Sequence, residues 1–481
     1  MRFSALLLAA LASAAAPPSQ RKNRTAEAFA SSADGQLRFT KVDAPVFGGS
    51  TNWSNPEWRL FIYDSEKGFR QKVKGFGGTV ADVTVDAYNT LPPASRAELL
   101  RLLMTPDGAN FSLIRHSIGS SDLSAAPAYT YADNGGKPDP TLESFDLGDR
   151  GCRMVSMLQD MKRLQPSMFL VGTPWAPPAW MQSDKNLTST LNKTLDYQYS
   201  AQFADYFTKY LKAYNNSGVK VDAISIQNEP VHNEPGTPGI SISADDATSL
   251  IRDRIVPSIL NSGLRTQIWI NDQNTDQITY ARKVLNGTGF AATAVAWHCY
   301  APQENWTTLS TFQAASVDTE QYMTDCWTSD LYTKWNQASW FTLGPLRNWA
   351  SGSIARVLGT YSVGGPRLDL AGSCESCTGL FTVDAARGTF ELRPDYYMLG
   401  QYSRYIPGGA VILRDNGSAT EGAQASGIES VASMNPDGTR AVVVENRFSH
   451  RMRVVLSTQS GELWTGDVTP QSVTTWLLPS V

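Results

Sequence analysis

Asp-Ala-Ile-Ser-Ile-Gln-Asn-Glu-Pro, residues 222–230, reads as a short strand that ends in polar side chains and a proline. An amphipathic stretch, ADDATSLIRDRIVPSIL (244–260), follows it with helical spacing. The same alternation of strand and helix begins at residue 73 and recurs along the chain. Its strands are VKGFGGT (73–79), FSLIRHSI (111–118), SMFLVGTPW (167–175), DAISIQNEP (222–230), TQIWINDQN (266–274), TAVAWHCYA (293–301), EQYMTDCW (320–327) and GSIARVLGTY (352–361). Helical patterns such as SRAELLRLLM (95–104) and CRMVSMLQDMKRLQ (152–165) lie between them. Eight strands separated by helices is the count for a closed parallel (β/α)8 barrel. A doubly wound open sheet is the rival fold, but it rarely needs eight units, and no GxGxxG opens a helix here.

The pattern changes on either side of this region. After about residue 380, short alternating strands such as IESVASM, RAVVVENRF, MRVVLSTQ and SVTTWLLP follow one another through turns like NPDGT (435–439). They predict a small antiparallel β-sandwich. Residues 36–64 are also strand-like, and are expected to join that sandwich or to cap the barrel. The expected organisation is a signal peptide at 1–16, N-terminal strands over 17–69, a barrel over 70–375 and a sandwich over 376–481.

The signal peptide is read from MRFSALLLAALASAAAPPSQ, where one Arg precedes an apolar stretch and then small residues. It is too short to span a bilayer, which takes about 20 apolar residues. Export is therefore the expectation. Nine Asn-X-Ser/Thr sequons agree with it: Asn23, Asn52, Asn110, Asn186, Asn192, Asn215, Asn286, Asn305 and Asn416. Of these, Asn110 opens a buried strand and is the poorest acceptor. Five cysteines cannot all pair. Cys374 and Cys377 in GSCESCTG suit a local disulfide, and Cys299 with Cys326 is a second candidate. The formal net charge of −4 supplies no basic stripe for nucleic acid or anionic lipid. Thirteen Trp and eighteen Tyr fit sugar stacking as well as they fit an aromatic-rich core.

Barrel active sites lie at the C-terminal ends of the strands. Strand four ends in Gln227-Asn228-Glu229-Pro230, and strand seven in Thr324-Asp325-Cys326-Trp327. Two carboxylates so placed can face each other across the mouth. That is the pair a glycosidase needs, one to protonate the leaving oxygen and one to attack the anomeric carbon. A lone Asp325 would more plainly be a loop salt bridge or a helix N-cap. Its neighbourhood argues otherwise, because Arg115, His116, Asp122, Trp175, Asp272, Asn274, His298 and Tyr300 fall at other strand ends.

GFGGTVAD (75–82), SLIRHSIGSSDLS (112–124), TPWAPPAW (173–180), SIQNEP (225–230), VAWHCYA (295–301) and GIESVASMNPDGTRAVVVEN (427–446) together resemble glycoside hydrolase family 30. Within it the likeness is to fungal endo-β-1,6-glucanases, and it covers nearly all of the chain after the signal peptide. The resemblance implies a retaining mechanism, a β-glucan substrate, no cofactor and no metal. It makes Glu229 the acid/base, Asp325 the nucleophile, Asn228 the contact to the sugar 2-hydroxyl and Arg115 the cation that keeps the nucleophile ionised. Asp82, Asp122 and Trp175 would line the glycone pocket, with His298 and Tyr300 around the nucleophile. A monomer without nucleic-acid or membrane partners is expected.

Two positions depart from the family pattern. Position 325 is Asp where the family carries Glu, and Arg356 stands where its eighth strand carries Trp. The first shortens the carboxylate by about one C–C bond, and a misplacement of about 1 Å can cost about 100-fold in rate. A catalytically weak glucan-binding relative is therefore the alternative to an active enzyme. β-1,6-Galactanase and glucosylceramidase-like activities are neighbours on the same scaffold.

Overall fold

The computed structural model describes residues 24–49, 57–188, 192–232, 235–328, 335–362, 378–416 and 427–480. Eight parallel strands close into a barrel: β1 (Gly75–Val80), β2 (Leu113–Ile118), β3 (Phe169–Pro174), β4 (Ala223–Ser225), β5 (Gln267–Asn274), β6 (Ala294–His298), β7 (Glu320–Asp325) and β8 (Ala350–Ala355). Each pairs with its sequence neighbours, and β8 returns to β1. The expected eighth strand ran to residue 361, but β8 stops at Ala355. Gly359–Tyr361 leaves the barrel to pair with Phe381–Asp384, which in turn pairs with Thr389–Leu392.

The barrel interior is filled from alternate strand positions, as the pleat requires. Leu113, Val171, Ala223, Trp269, Ala294, Tyr322 and Ile354 form one buried cluster. Trp269 stacks on Tyr322 at 4.1 Å between centroids and on Phe169 at 5.7 Å. This aromatic plug makes the lower barrel a solid core, so chemistry is confined to the opposite mouth. The intervening positions face the helices; Ile114, Ile268, Val295 and Met323 join the outer core.

The region after residue 380 is not all strands. Pro394–Ser403 is a helix, begun by a proline at its first turn. Its Tyr402 lies 6.2 Å from Phe76 of β1 between ring centroids. The 244–260 pattern is helical, interrupted by a π-turn at Ile251–Ile255 just before Pro257.

The sandwich is built from both ends of the chain. One sheet orders Thr40–Val42, Glu27–Ser32, Ser472–Leu478, Arg440–Asn446, Ile428–Met434, Val411–Leu413 and Phe69–Lys72. The other orders Val46–Phe47, Leu463–Val468, Met452–Thr458 and Glu57–Ile62. The last two strands run parallel, the exception in otherwise antiparallel sheets. Trp464, Trp476, Val442, Val454 and Leu60 fill the space between. At one edge the buried Arg440 is neutralised by Asp64 and Glu462, each at 2.8 Å.

Candidate active site

Strand alternation decides which end-of-strand groups enter the mouth. Leu113 and Arg115 point inward, so the adjacent His116 faces outward, away from the mouth. Its Nε2 accepts from the Tyr210 hydroxyl at 2.6 Å, and its ring stacks on Tyr214 at 5.1 Å, both on helix Ser200–Asn216. His116, counted from the sequence among the mouth groups, belongs to the outer core.

Asp272 enters the mouth because β5 breaks its pleat. The register against β6 shifts between Asn271 and Gln273, and Asn271 (φ 73°) and Asp272 (φ 48°) are left-handed. Asn and Asp tolerate that region better than other side chains, and a bulge re-aims a side chain. The Asp272 carboxylate then accepts from Arg115 Nη2 (2.9 Å), the Thr324 hydroxyl (2.8 Å), the Thr173 hydroxyl (3.3 Å) and His298 Nε2 (3.0 Å). Burial opposes its charge, but Arg115 and His298 outweigh burial and hold the carboxyl well below its ordinary value.

Arg115 is the hub. It is fully buried, and donates from Nη1 to Asp325 Oδ2 (2.9 Å) and from Nη2 to Asn228 Oδ1 (2.7 Å) as well as to Asp272. Its guanidinium carbon lies 4.9 Å from the Trp175 ring centroid. One planar cation on β2 thus fixes groups at the ends of β4, β5 and β7, which suits its rigid fork of donors.

Asp325 closes β7, opposite His298 across a register shift in the β6–β7 ladder. Its Oδ1 accepts from the Tyr300 hydroxyl, and its Oδ2 also lies 3.4 Å from Arg356 Nη1. Burial holds this carboxyl above its ordinary value, against the opposing pull of His298, Arg115 and Tyr300. Burial, and then Asp325, hold the Tyr300 phenol well above its ordinary value, so it remains a donor.

Glu229 has a left-handed backbone, φ 48°, pinned by its N–H donating to the Asp272 carbonyl at 3.0 Å. Strain of this kind persists where the surroundings over-determine it. Its Oε1 is 3.2 Å from His298 Nδ1. Burial pulls the His298 imidazole down, yet hydrogen bonds to Asp272 and Glu229 raise it to about 9. The two carboxylates differ in access: the Glu229 side chain is 22% exposed and that of Asp325 1%.

Asp122, Trp175, Asn228, Glu229, Tyr300, Trp327 and Arg356 line a cleft of about 500 Å³, continued by Val231, Pro238 and Asn274. That volume lies in the range of small-ligand sites. Arg356 forms a short ion pair with Asp122 and sits 4.7 Å from the Trp327 ring centroid. Asp82, expected in the glycone pocket, starts helix Asp82–Thr90, is 4% exposed and is not among the residues that line this cleft. Its carboxylate accepts from Tyr129 at 3.0 Å. The structure thus gathers Glu229, Asp325, Arg115, Asn228, His298, Tyr300, Trp175 and Asp122, and sets Asp82 apart.

The central role of Asp272 was not anticipated, nor were the contacts of Thr324 and Trp327. The only sequence signal for Asp272 is an acid at a strand end. A disulfide joins Cys299 to Cys326, tying the ends of β6 and β7 beside Tyr300 and Asp325. Cys374 and Cys377 lie outside the described residues, and Cys152 is free and exposed. Among the described residues no cluster of His, Cys, Asp or Glu is arranged to hold a metal ion, and no helix is long and apolar enough to cross a membrane.

Comparison with known proteins identifies the family. Residues 73–406 match the glycosyl hydrolase family 30 TIM-barrel domain, and residues 417–476 its β-sandwich domain. An endo-1,6-β-D-glucanase of Neurospora crassa is 50% identical over 94% of this chain and 95% of its own length. One of Aspergillus fumigatus is 44% identical over the full length of both. Among solved structures, an endo-β1,6-glucanase superposes with a TM-score of 0.82 at 24% identity, covering 95% of this chain and 99% of its own. At that identity the superposition speaks for the fold alone.

Proposed function

The chain belongs to glycosyl hydrolase family 30, and on that premise we propose that its cleft hydrolyses β-1,6-linked glucan by double displacement. The relatives that are 44–50% identical are named for that activity. The observation that carries the assignment of roles is the difference in access between the two carboxylates. Asp325 is buried against Arg115 and Tyr300, the setting of a nucleophile that must be ionised and held still. Glu229 reaches solvent, as a group that exchanges protons with water must.

In the first step Glu229 protonates the glycosidic oxygen while Asp325 attacks the anomeric carbon. The C–O bond to the leaving sugar breaks, and a glycosyl ester to Asp325 forms. In the second step Glu229, now a carboxylate, takes a proton from water, which displaces Asp325 with net retention. Asn228, whose Oδ1 accepts from Arg115, holds the 2-hydroxyl in this reading. His298 bridges Asp272 and Glu229, fixing the acid in position.

The test is product analysis on linear β-1,6-glucan beside β-1,3-glucan and β-1,6-galactan, with the first-formed anomer read by NMR. Oligosaccharides from β-1,6-glucan with β configuration are expected. Cleavage of another polymer, or an α first product, would overturn the assignment. A second reading rests on Arg356, which contacts both Asp122 and Asp325 inside the cleft. In it the chain binds glucan and turns it over slowly. Export of the enzyme is part of the same proposal, supported by the N-terminal sequence and by a disulfide of the kind that persists in oxidising compartments.

A further inference from the structure

Seven of the nine sequons fall within the described residues, and two of them, Asn186 and Asn305, stand apart. Both asparagines are exposed. In each, the side-chain carbonyl accepts from the backbone N–H of the Thr two residues on, Thr188 or Thr307, at 3.1 Å. Thr307 adds its hydroxyl at 2.7 Å. An amide is planar, so turning its oxygen to the chain turns its Nδ2 outward, and neither Nδ2 has a hydrogen-bond partner among the described residues. Nδ2 is the atom to which an N-linked sugar attaches. Asn110 is the contrast: it is half-buried, and its carbonyl is taken by Gln165 Nε2 at 2.9 Å.

The place of these two sequons in the fold gives them a role. Asn186 lies between β3 and helix Ser200–Asn216, and Asn305 between β6 and helix Thr307–Gln313. Both are therefore on loops at the C-terminal face, where the cleft opens. Glu304 Oε1 accepts from the Asn305 N–H at 3.1 Å and from the Thr275 hydroxyl at 2.5 Å, and Thr275 sits between Asn274 and Asp276 of the cleft lining. The Asn186 backbone carbonyl accepts from Lys193 Nζ at 3.2 Å. The Lys193 carbonyl in turn accepts from the Ser241 N–H at 2.7 Å, two residues beyond Gly239 of the lining. Both asparagines are thus tied to the part of the cleft built after β4 and β5, across the barrel from Arg356 just after β8.

We propose that Asn186 and Asn305 carry N-linked glycans that wall the β4–β5 side of the cleft. The donor is an oligosaccharide on a lipid pyrophosphate. Nδ2 bonds to C1 of its first sugar, the C1–O bond to the pyrophosphate breaks, the lipid pyrophosphate leaves with the electron pair, and Nδ2 gives up one proton. Transfer precedes folding, so the folded state decides which modified chains can still fold, and a substituent on an outward Nδ2 displaces no native contact. The modification rests on the export reading, and the wall on the glucanase reading, in which the leaving glucan lies on this side. A linear glucan passes between the two glycans, whereas a side-branched one meets them.

The experiment expresses the full-length chain in a eukaryotic host and maps its glycopeptides by mass spectrometry. Peptides containing Asn186 and Asn305 should carry glycan. Thr188→Ala combined with Thr307→Ala removes both sequons and keeps the backbone N–H bonds to the two asparagines, and thermal melting checks that the variant folds. Hydrolysis of β-1,6-glucan bearing β-1,3-linked side branches, divided by that of linear β-1,6-glucan, should rise severalfold in this variant. Glycan at other sequons with Asn186 and Asn305 bare would overturn the proposal and leave export standing. A chain retained in the cell with no glycan at any sequon would overturn both. Occupied sites with an unchanged ratio would overturn the wall alone, and occupied sites with no hydrolysis of either polymer would overturn the wall together with the glucanase reading.

Discussion

Two buried histidines should give this protein opposite pH signatures. Both ring nitrogens of His298 face carboxylates, Asp272 at 3.0 Å and Glu229 at 3.2 Å, so both carry hydrogens in the folded state. Its value rises from 6.5 to about 9. The folded value lies above the unfolded one, so the stabilisation is fully present below pH 6.5 and is lost as pH climbs through about 9. At about 1.4 kcal/mol per pH unit, the span is worth about 3 kcal/mol. His116 is the reverse case. Burial, against a smaller favourable contact to the Ser117 carbonyl, drops it to about 3. Its neutral form contributes stability above pH 6.5 that is lost as pH falls towards 3, about 5 kcal/mol by the same conversion. Thermal unfolding of the parent, His298→Gln and His116→Gln over pH values from about 4 to 10 measures both. The gap between parent and His298→Gln should narrow above pH 6.5, and that between parent and His116→Gln should narrow below it. Two flat gaps, or two gaps of the same sign, would refute the reasoning.

Other perturbations test the cleft directly. Glu229→Gln should lower hydrolysis of polymeric β-1,6-glucan by about 10²–10⁴ with the fold retained by circular dichroism, since an amide cannot donate the proton. Asp325→Glu alone should lower kcat/KM, because Tyr300, Arg115 and Arg356 already touch the shorter side chain. Asp325→Glu combined with Arg356→Trp should raise it above the parent by about 10- to 100-fold, and additive effects of the two changes would contradict the coupling. Arg115→Met strips Asp272 and Asp325 of their shared cation and should cost about 3–5 kcal/mol, measured by denaturant unfolding. Cys326→Ser opens a 27-residue loop and should cost about 3–4 kcal/mol, with reductant reproducing the loss in the parent.

The eight barrel strands were legible because each is a short apolar run buried on both faces, with a helix before the next. The ends of these runs were less so. GSIARVLGTY reads as one strand, but the chain turns at Arg356 to meet Asp122, and Gly359–Tyr361 pairs elsewhere. Glu229, Asp325, Arg115 and Asn228 were legible as end-of-strand groups within a matching set of motifs. Asp272 was legible only as an acid at a strand end; its central place depends on a bulge with two left-handed residues, which no period-two pattern signals. Arg115 and His116 are adjacent in sequence and equally polar; only the pleat sends one to the cleft and the other to the Tyr210–Tyr214 face. The parallel pairing of Glu57–Ile62 with Met452–Thr458 joins segments about 400 residues apart, beyond any local pattern.

That joining of the two chain ends sets a timetable for biosynthesis. Glu27–Ser32 finds its partner in Ser472–Leu478, about 450 residues later. At about 5–20 residues per second, the first strand is made roughly 20 to 90 seconds before the last one exists. Through that interval the N-terminal strands have open edges, of the sort that pair with the wrong chain. The barrel waits less: its strands pair with sequence neighbours until β8 closes on β1, about 275 residues later. A chain released before residue 472 would leave Glu27–Ser32 and Thr40–Val42 without the strand that links them to Arg440–Asn446. The making of Ser472–Leu478 therefore decides whether residues 27–42 have anywhere to pair.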